Sequence, residues 1–153
     1  MESPIETKAI LVIHGPNLNM LGKREPEVYG NATLDDINAR LKEAGNRIGL
    51  SVVTFQSNHE GAILDKIQEI MHSHHGLIIN PGAYTHTSVA IRDALLLLSI
   101  PVIEVHLSNI YKRESFRHHS MVAAVATGQI TGLGTDGYVL ALEYLARHCQ
   151  RVY

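Results

Sequence analysis

Short unbroken apolar runs alternate along this chain with stretches whose apolar residues recur every three or four positions, and that alternation leaves few folds open. Ala9-Ile10-Leu11-Val12-Ile13 reads as a strand apolar on both faces, the pattern of a parallel sheet. Leu34, Ile37, Leu41, Ala44 and Ile48 then follow a helical spacing. Thr33 caps that helix, Asp36 completes a capping-box variant, and Gly49 stops the pattern. Residues 50–55 form a second strand, and Ile63, Leu64, Ile67, Ile70 and Met71 stripe a second helix. Residues 77–79 are a third strand, 87–99 a third helix and 102–106 a fourth strand. A short helix near 114–119 precedes an Ala/Val-rich stretch, a fifth strand at 129–133 and a closing helix at 137–148. Five strands alternating with helices predict a three-layer α/β/α fold. The expected sheet is parallel, doubly wound and flavodoxin-like, with strand order 2-1-3-4-5.

Length supports one domain over residues 1–153, with a core at about 9–147, since domains run roughly 100–200 residues. A formal charge of -2 argues against a general polyanion binder. Six Tyr, two Phe and no Trp argue against base stacking as the main task, so no nucleic-acid partner is expected. Cys149 is the single cysteine, which excludes an intrachain disulfide and a cysteine zinc cluster and points to a reducing compartment. No segment reaches the roughly 18 apolar residues of a membrane span, and residues 1–6 do not read as a secretory signal. A soluble cytoplasmic protein without a membrane partner is expected, and the sequon at Asn31-Ala32-Thr33 is then chance. Ala94-Leu95-Leu96-Leu97-Leu98 would be apolar around most of a helix, which suits packing against another subunit or a deeply embedded core helix.

In an open α/β sheet, ligands bind beyond the carboxyl ends of the strands where the strand order reverses. Here the first strand exits into His14-Gly15-Pro16-Asn17, the third into Asn80-Pro81-Gly82 and on to His86, and the fourth into His106-Leu107-Ser108-Asn109. Glu104 and His106 are two apart and share one strand face. A carboxylate beside an imidazole orients the ring and favours its charged form, which suits a general acid. Asn17 and Asn80 also flank Pro/Gly turns, where Asn serves as a turn former. His72, His74, His75 and the pair His118-His119 read as solvated rather than as metal ligands, and no metal set is expected.

A long loop, about 18–31, follows the first strand, beyond the usual connector length of about 12–15 residues at most. It carries Arg24 and Tyr29, with Gly22 and Gly30 placed like hinges, and it reads as a lid over the site. Arg113 and Arg117 add cations after the fourth strand. Arginine near a phenol favours the phenolate.

These segments resemble the type II 3-dehydroquinate dehydratases. The resemblance is carried by residues 15–22, Arg24-Glu25-Pro26 through Tyr29-Gly30, residues 56–61, 79–88, 91–94, 104–109 and 113–117, and the glycines from Gly128 to Gly137. It implies dehydration of 3-dehydroquinate to 3-dehydroshikimate through an enolate, in the shikimate or quinate pathway, without a cofactor, in a dodecamer of four trimers. It implies Tyr29 as a tyrosinate base, Arg24 as its activator, His106 as general acid with Glu104 as its partner, and Asn17 as the holder of a water at the enolate. Asn80, His86, Leu107, Ser108 and Arg117 are implied as substrate contacts, and Asp93 as a contact into a neighbouring subunit's site. The rival reading is a flavodoxin-like flavin or nucleotide module, against which stands the lack of a phosphate loop after the first strand.

Overall fold

The computed structural model describes residues 6–23 and 25–151, with the backbone alone at Tyr29. In chain order the elements are β1 (Lys8–His14), α1 (Pro26–Tyr29), α2 (Leu34–Arg47), β2 (Leu50–Gln56), α3 (Glu60–Glu69), β3 (Gly76–Asn80), α4 (Val89–Leu95), β4 (Val102–His106), β5 (Gly128–Thr131) and α5 (Asp136–Arg151). The five strands form one parallel sheet in the order β2-β1-β3-β4-β5, the expected topology.

Strand alternation divides the core into two layers. Ile10 and Val12 of β1, Ile78 of β3, and Ile103 and Val105 of β4 face Ile37 and Leu41 of α2 and Tyr138, Leu142 and Leu145 of α5. Leu11, Ile13, Leu77, Ile79 and Val102 face the other way, onto Ile63 and Ile67 of α3 and Ile91 and Leu95 of α4. Both faces of β1 are thus filled, and for this reason its sequence is continuously apolar. The same alternation sends His14 and Asn80 toward α2 and α5, while Glu104 and His106 lie on the α3/α4 side.

The helix after β2 is shorter than its pattern implied, and so is the third helix. α4 ends at Leu95, and Leu97 and Leu98 close with bonds back to Ala94 and Leu95. The chain must turn there to enter β4, so residues 94–98 do not make one all-apolar helix. Leu96 and Leu97 instead stand 62% and 51% exposed in the turn. β5 stops at Thr131 because Gly132 takes a left-handed φ of 90°. Residues 114–119 yield only a 3-10 turn over Ser115–Arg117. The long loop carries a 3-10 turn at Leu18–Met20 as well as α1, which Pro26 starts. The expected capping box is present, with Thr33 and Asp36 bonded reciprocally.

His75 departs from its expected solvated role. Its backbone N–H donates to the Ala9 carbonyl, and its Nδ1 accepts from the Ala9 N–H at 3.1 Å. The ring therefore continues the β1–β3 ladder by one rung. No helix among the described residues is long and apolar enough to cross a membrane.

Candidate active site

The strand order reverses between β1 and β3, and there the two exit loops are pressed together. The Gly15 N–H donates to the Asn80 carbonyl at 2.8 Å. A Cβ on Gly15 would sit 2.5 Å from the Pro81 carbonyl oxygen, so this position requires glycine. Gly82 has φ 59°, and a Cβ there would meet the Pro16 carbonyl oxygen at 3.1 Å. Asn17 adopts a left-handed φ of 67°, a conformation Asn tolerates better than most residues. Its N–H donates to Asn58 Oδ1 at 3.0 Å, and Gln56 Nε2 donates to the same oxygen at 3.1 Å. The turn-former and site readings of Asn17 thus describe one residue.

A cavity of about 150 Å³ opens between these loops. Asn17, Asn80, His86, His106, Leu107, Ser108, Arg113 and Arg117 line it, with Pro16, Leu18, Leu21 and Ile110 among its apolar walls. A second, broader cleft shares Leu107, Ser108 and Arg113 and runs beneath Glu27, Val28 and Gly30 toward Thr135.

On the α3/α4 side, Glu104 is fully buried and His106 is 6% exposed. His106 Nε2 meets Glu104 Oε2 at 2.5 Å. Thr85 Oγ1 donates to the same oxygen at 2.7 Å, and Ser120 Oγ approaches both carboxylate oxygens at 2.9 and 3.0 Å. Ser120 Oγ accepts from the N–H groups of Val122 and Ala123, which leaves its own proton for Glu104. Burial pushes the Glu104 carboxyl up, but His106, Thr85 and Ser120 together outweigh it and hold the group below its ordinary 4.5. The carboxylate is therefore ionised and accepts from the Nε2–H of His106. Nδ1 is the ring nitrogen that Glu104 leaves available at the cavity wall.

On the α2/α5 side the polar groups are neutral. Asn80 Nδ2 donates to the Tyr138 hydroxyl at 3.0 Å, and that hydroxyl lies 3.1 Å from His14 Nδ1. His14 Nε2 lies 2.8 Å from Asn38 Oδ1. Burial holds the His14 imidazole down to about 4, the Asn38 contact opposing it, and burial pushes the Tyr138 phenol above its ordinary range.

The remaining wall is basic. Arg117 Nε donates to Glu114 Oε2 at 2.7 Å, and Arg113 Nη1 points to Ser108 Oγ at 3.4 Å. Arg113 and Arg117 both approach the Glu114 carboxylate, and guanidiniums on this wall are the groups that bind a carboxylate bidentately. His86 Nδ1 donates to the His119 carbonyl at 2.8 Å, which leaves Nε2 for a ligand. Burial lowers the His86 pKa, the bond to His119 raises it, and the charges of His106 and Arg117 lower it further. His118 Nε2 donates to the Arg113 carbonyl at 2.9 Å and the His119 carbonyl accepts from His86, while both side chains are exposed, as expected. Among the described residues, no three His, Cys, Asp or Glu side chains group as metal ligands.

The model of the family described as Dehydroquinase class II matches residues 8–146. The chain belongs to the class II dehydroquinase family. A 3-dehydroquinate dehydratase of Roseiflexus castenholzii is 62% identical over 136 residues, which cover 89% of this chain and 87% of that protein. One of Bordetella avium is 60% identical over 144 residues, covering 92% and 99%. The crystal structure of type II dehydroquinase from Propionibacterium acnes superposes with a TM-score of 0.90 at 50% identity, covering 92% of this chain and 97% of that one.

In this class II dehydroquinase the cavity brings together Asn17, Asn80, His86, His106, Leu107, Ser108 and Arg117, which are distant in sequence. Glu104 stands behind His106 rather than in the wall. Asp93 is exposed on α4 and does not line the cavity. Tyr29 ends α1 beside the broader cleft's Val28 and Gly30, but its side chain lies outside the described residues, as does Arg24. Sequence reasoning missed Thr85 and Ser120 as partners of Glu104, and Tyr138 as the partner of Asn80. Nothing in their spacing pairs them, since each contact joins elements 16 or more residues apart. Arg113 was legible as a cation after the fourth strand but not as a wall of the cavity.

Proposed function

We propose that this class II dehydroquinase removes water from 3-dehydroquinate to give 3-dehydroshikimate, a shikimate-pathway reaction, with Tyr29 as tyrosinate base and His106 as general acid. Family membership carries the dehydratase activity. The contact between His106 and the buried, ionised Glu104 is the observation that carries the assignment of the acid. In this scheme the Tyr29 phenolate takes the proton next to the ketone, and the electron pair forms an enolate. Collapse of the enolate forms the carbon–carbon double bond and breaks the bond to the departing hydroxyl, which leaves as water with the proton from His106. The excess proton on Tyr29 returns to His106 through solvent.

An ordinary phenol has a pKa of about 10, so about one in a thousand is ionised near pH 7. Lowering that pKa by about 2 takes about 2.7 kcal/mol of preference for the anion. One neighbouring guanidinium supplies a change of about 1–3. Arg24 has that task in this reading, because it stays charged at any working pH. Asn17 holds a water against the enolate oxygen, where a positioned donor lowers the barrier most. Arg117, the Leu107-Ser108 turn, Asn80 and His86 receive the substrate's carboxylate and hydroxyls.

The assembly in this reading is a dodecamer of four trimers. Val89, Leu96 and Leu97, exposed around Asp93 on α4, are the surface that supports a subunit contact there. The deciding experiment is an ultraviolet assay for the conjugated enone. Enone formed from 3-dehydroquinate, and lost in His106→Ala, supports the reading; no enone from the wild-type protein ends it.

A further inference from the structure

We propose that Tyr138 and His14 are positioning residues for the dehydration: a one-way chain of hydrogen bonds through them fixes the Asn80 amide so that it offers the substrate an N–H donor. This rests on the function proposed above. The sense of the chain follows from its ends. The Gly82 N–H can only donate, and it meets Asn80 Oδ1 at 3.1 Å. The Asn80 oxygen is thereby identified, and Nδ2 faces Tyr138. At the far end Asn38 Oδ1 can only accept, so His14 carries its proton on Nε2. Its bare Nδ1 then accepts the Tyr138 hydroxyl proton, and the Tyr138 oxygen accepts from Asn80. One polarity satisfies all four contacts. The second Nδ2 hydrogen of Asn80 finds no acceptor among the described residues, and Asn80 lines the cavity.

The chain keeps its polarity only while His14 is neutral, and its surroundings secure that. His14 and Tyr138 are both fully buried, with ring centroids 5.3 Å apart. The groups facing the imidazole are Tyr138 from α5 and Asn38 from α2, and Tyr138 is the titratable one. The charged residues one turn either side of Asn38 on α2 are Asp35 and Lys42, both exposed. Protonated His14 would donate from Nδ1, the Tyr138 hydroxyl would have to donate to Asn80, and the amide would turn its oxygen toward Tyr138. Asn80 would then lose its bond from Gly82 and present the wrong group to the substrate.

Two variants of the full chain test this. Tyr138→Phe keeps the ring but removes both contacts, and KM should rise about tenfold with kcat changed far less. Asn38→Asp places an anion beside Nε2, favours charged His14 and reverses the chain. Its KM should then climb as pH falls from about 8 to 6, in a way the wild type does not show. The Asn80 side-chain amide resonances, read by 15N NMR without substrate, should move with pH in Asn38→Asp and stay constant in the wild type. A wild-type KM in Tyr138→Phe, or Asn80 resonances in Asn38→Asp that ignore pH, overturns the proposal. If Tyr138→Phe fails to fold, Asn38→Asp decides, since Asn38 is partly exposed on a helix surface. If the wild type forms no enone, the proposed function falls while the NMR arm still decides the chain.

Discussion

Acid should weaken this protein through His14. Its imidazole is fully buried, and burial holds it down to about 4 against an ordinary 6.5, the Asn38 hydrogen bond opposing. Below pH 6.5 the unfolded chain takes up a proton at this residue, whereas the folded chain does so only near 4. The unfolded state thus binds more protons across that window, and stability falls as pH falls through it. Each pH unit is worth about 1.4 kcal/mol, so roughly 2.5 kcal/mol should be gone at pH 4.5 relative to pH 7.5. That is a large share of the about 5–15 kcal/mol that holds a typical domain. The assay is the urea midpoint at fixed protein concentration, measured from about pH 7.5 to 4.5 for the wild type and His14→Gln. The variant should start lower, because the imidazole packed against Tyr138 and bonded to Asn38 is lost, but its pH slope should be shallower by the His14 share. His74 and His86 are also lowered, first by burial, and lose stability in the same direction, but both proteins contain them. Glu104 acts lower, below its ordinary 4.5, where protonation of its carboxyl removes a native contribution. Equal slopes in the two proteins would refute the reasoning.

Glu104→Gln should leave the Thr85 and Ser120 contacts available yet cut kcat at least about tenfold, because His106 loses its charged partner; a wild-type kcat would detach the carboxylate from the reaction. Tyr29→Phe should abolish turnover while substrate binding, followed by calorimetry, persists; near-normal turnover would remove Tyr29 from the base role. Arg24→Ala should lower kcat and raise the pH at which the base limb of the rate profile appears, and an unmoved profile would count against Arg24 as activator. Gly15→Ala forces a Cβ to 2.5 Å from the Pro81 carbonyl oxygen. It should lose at least about 2 kcal/mol in urea unfolding, and full stability would show that the two loops can separate.

The fold was legible because its signals are local. β1 is apolar at consecutive positions from Ile10 to Ile13, and both of its faces are indeed filled by helices. Thr33 and Asp36 announced the start of α2, and the capping box is where they placed it. Misreadings came where composition and geometry part. Ala94 through Leu98 reads as one apolar helix, but the path into β4 ends the helix at Leu95. His75 reads as a solvated helix end, but the neighbouring strand makes it a rung of the sheet. Of the site, Glu104 and His106 were legible from a spacing of two on a strand. Thr85 and Ser120, which join His106 in keeping Glu104 ionised, were not, because contacts across loops leave no periodic trace.

Periodicity and turn chemistry along the chain were enough to specify a parallel, doubly wound sheet and to say which strand ends would meet, since each depends on neighbours a few residues apart. The protonation states of the groups at those ends were decided by folding alone. His14 and Glu104 carry ordinary titrating side chains, yet one is kept neutral and the other ionised on opposite faces of the same sheet. The physical reason is that desolvation and hydrogen-bond partners arrive from distant segments, and a pKa is a property of that assembled surrounding.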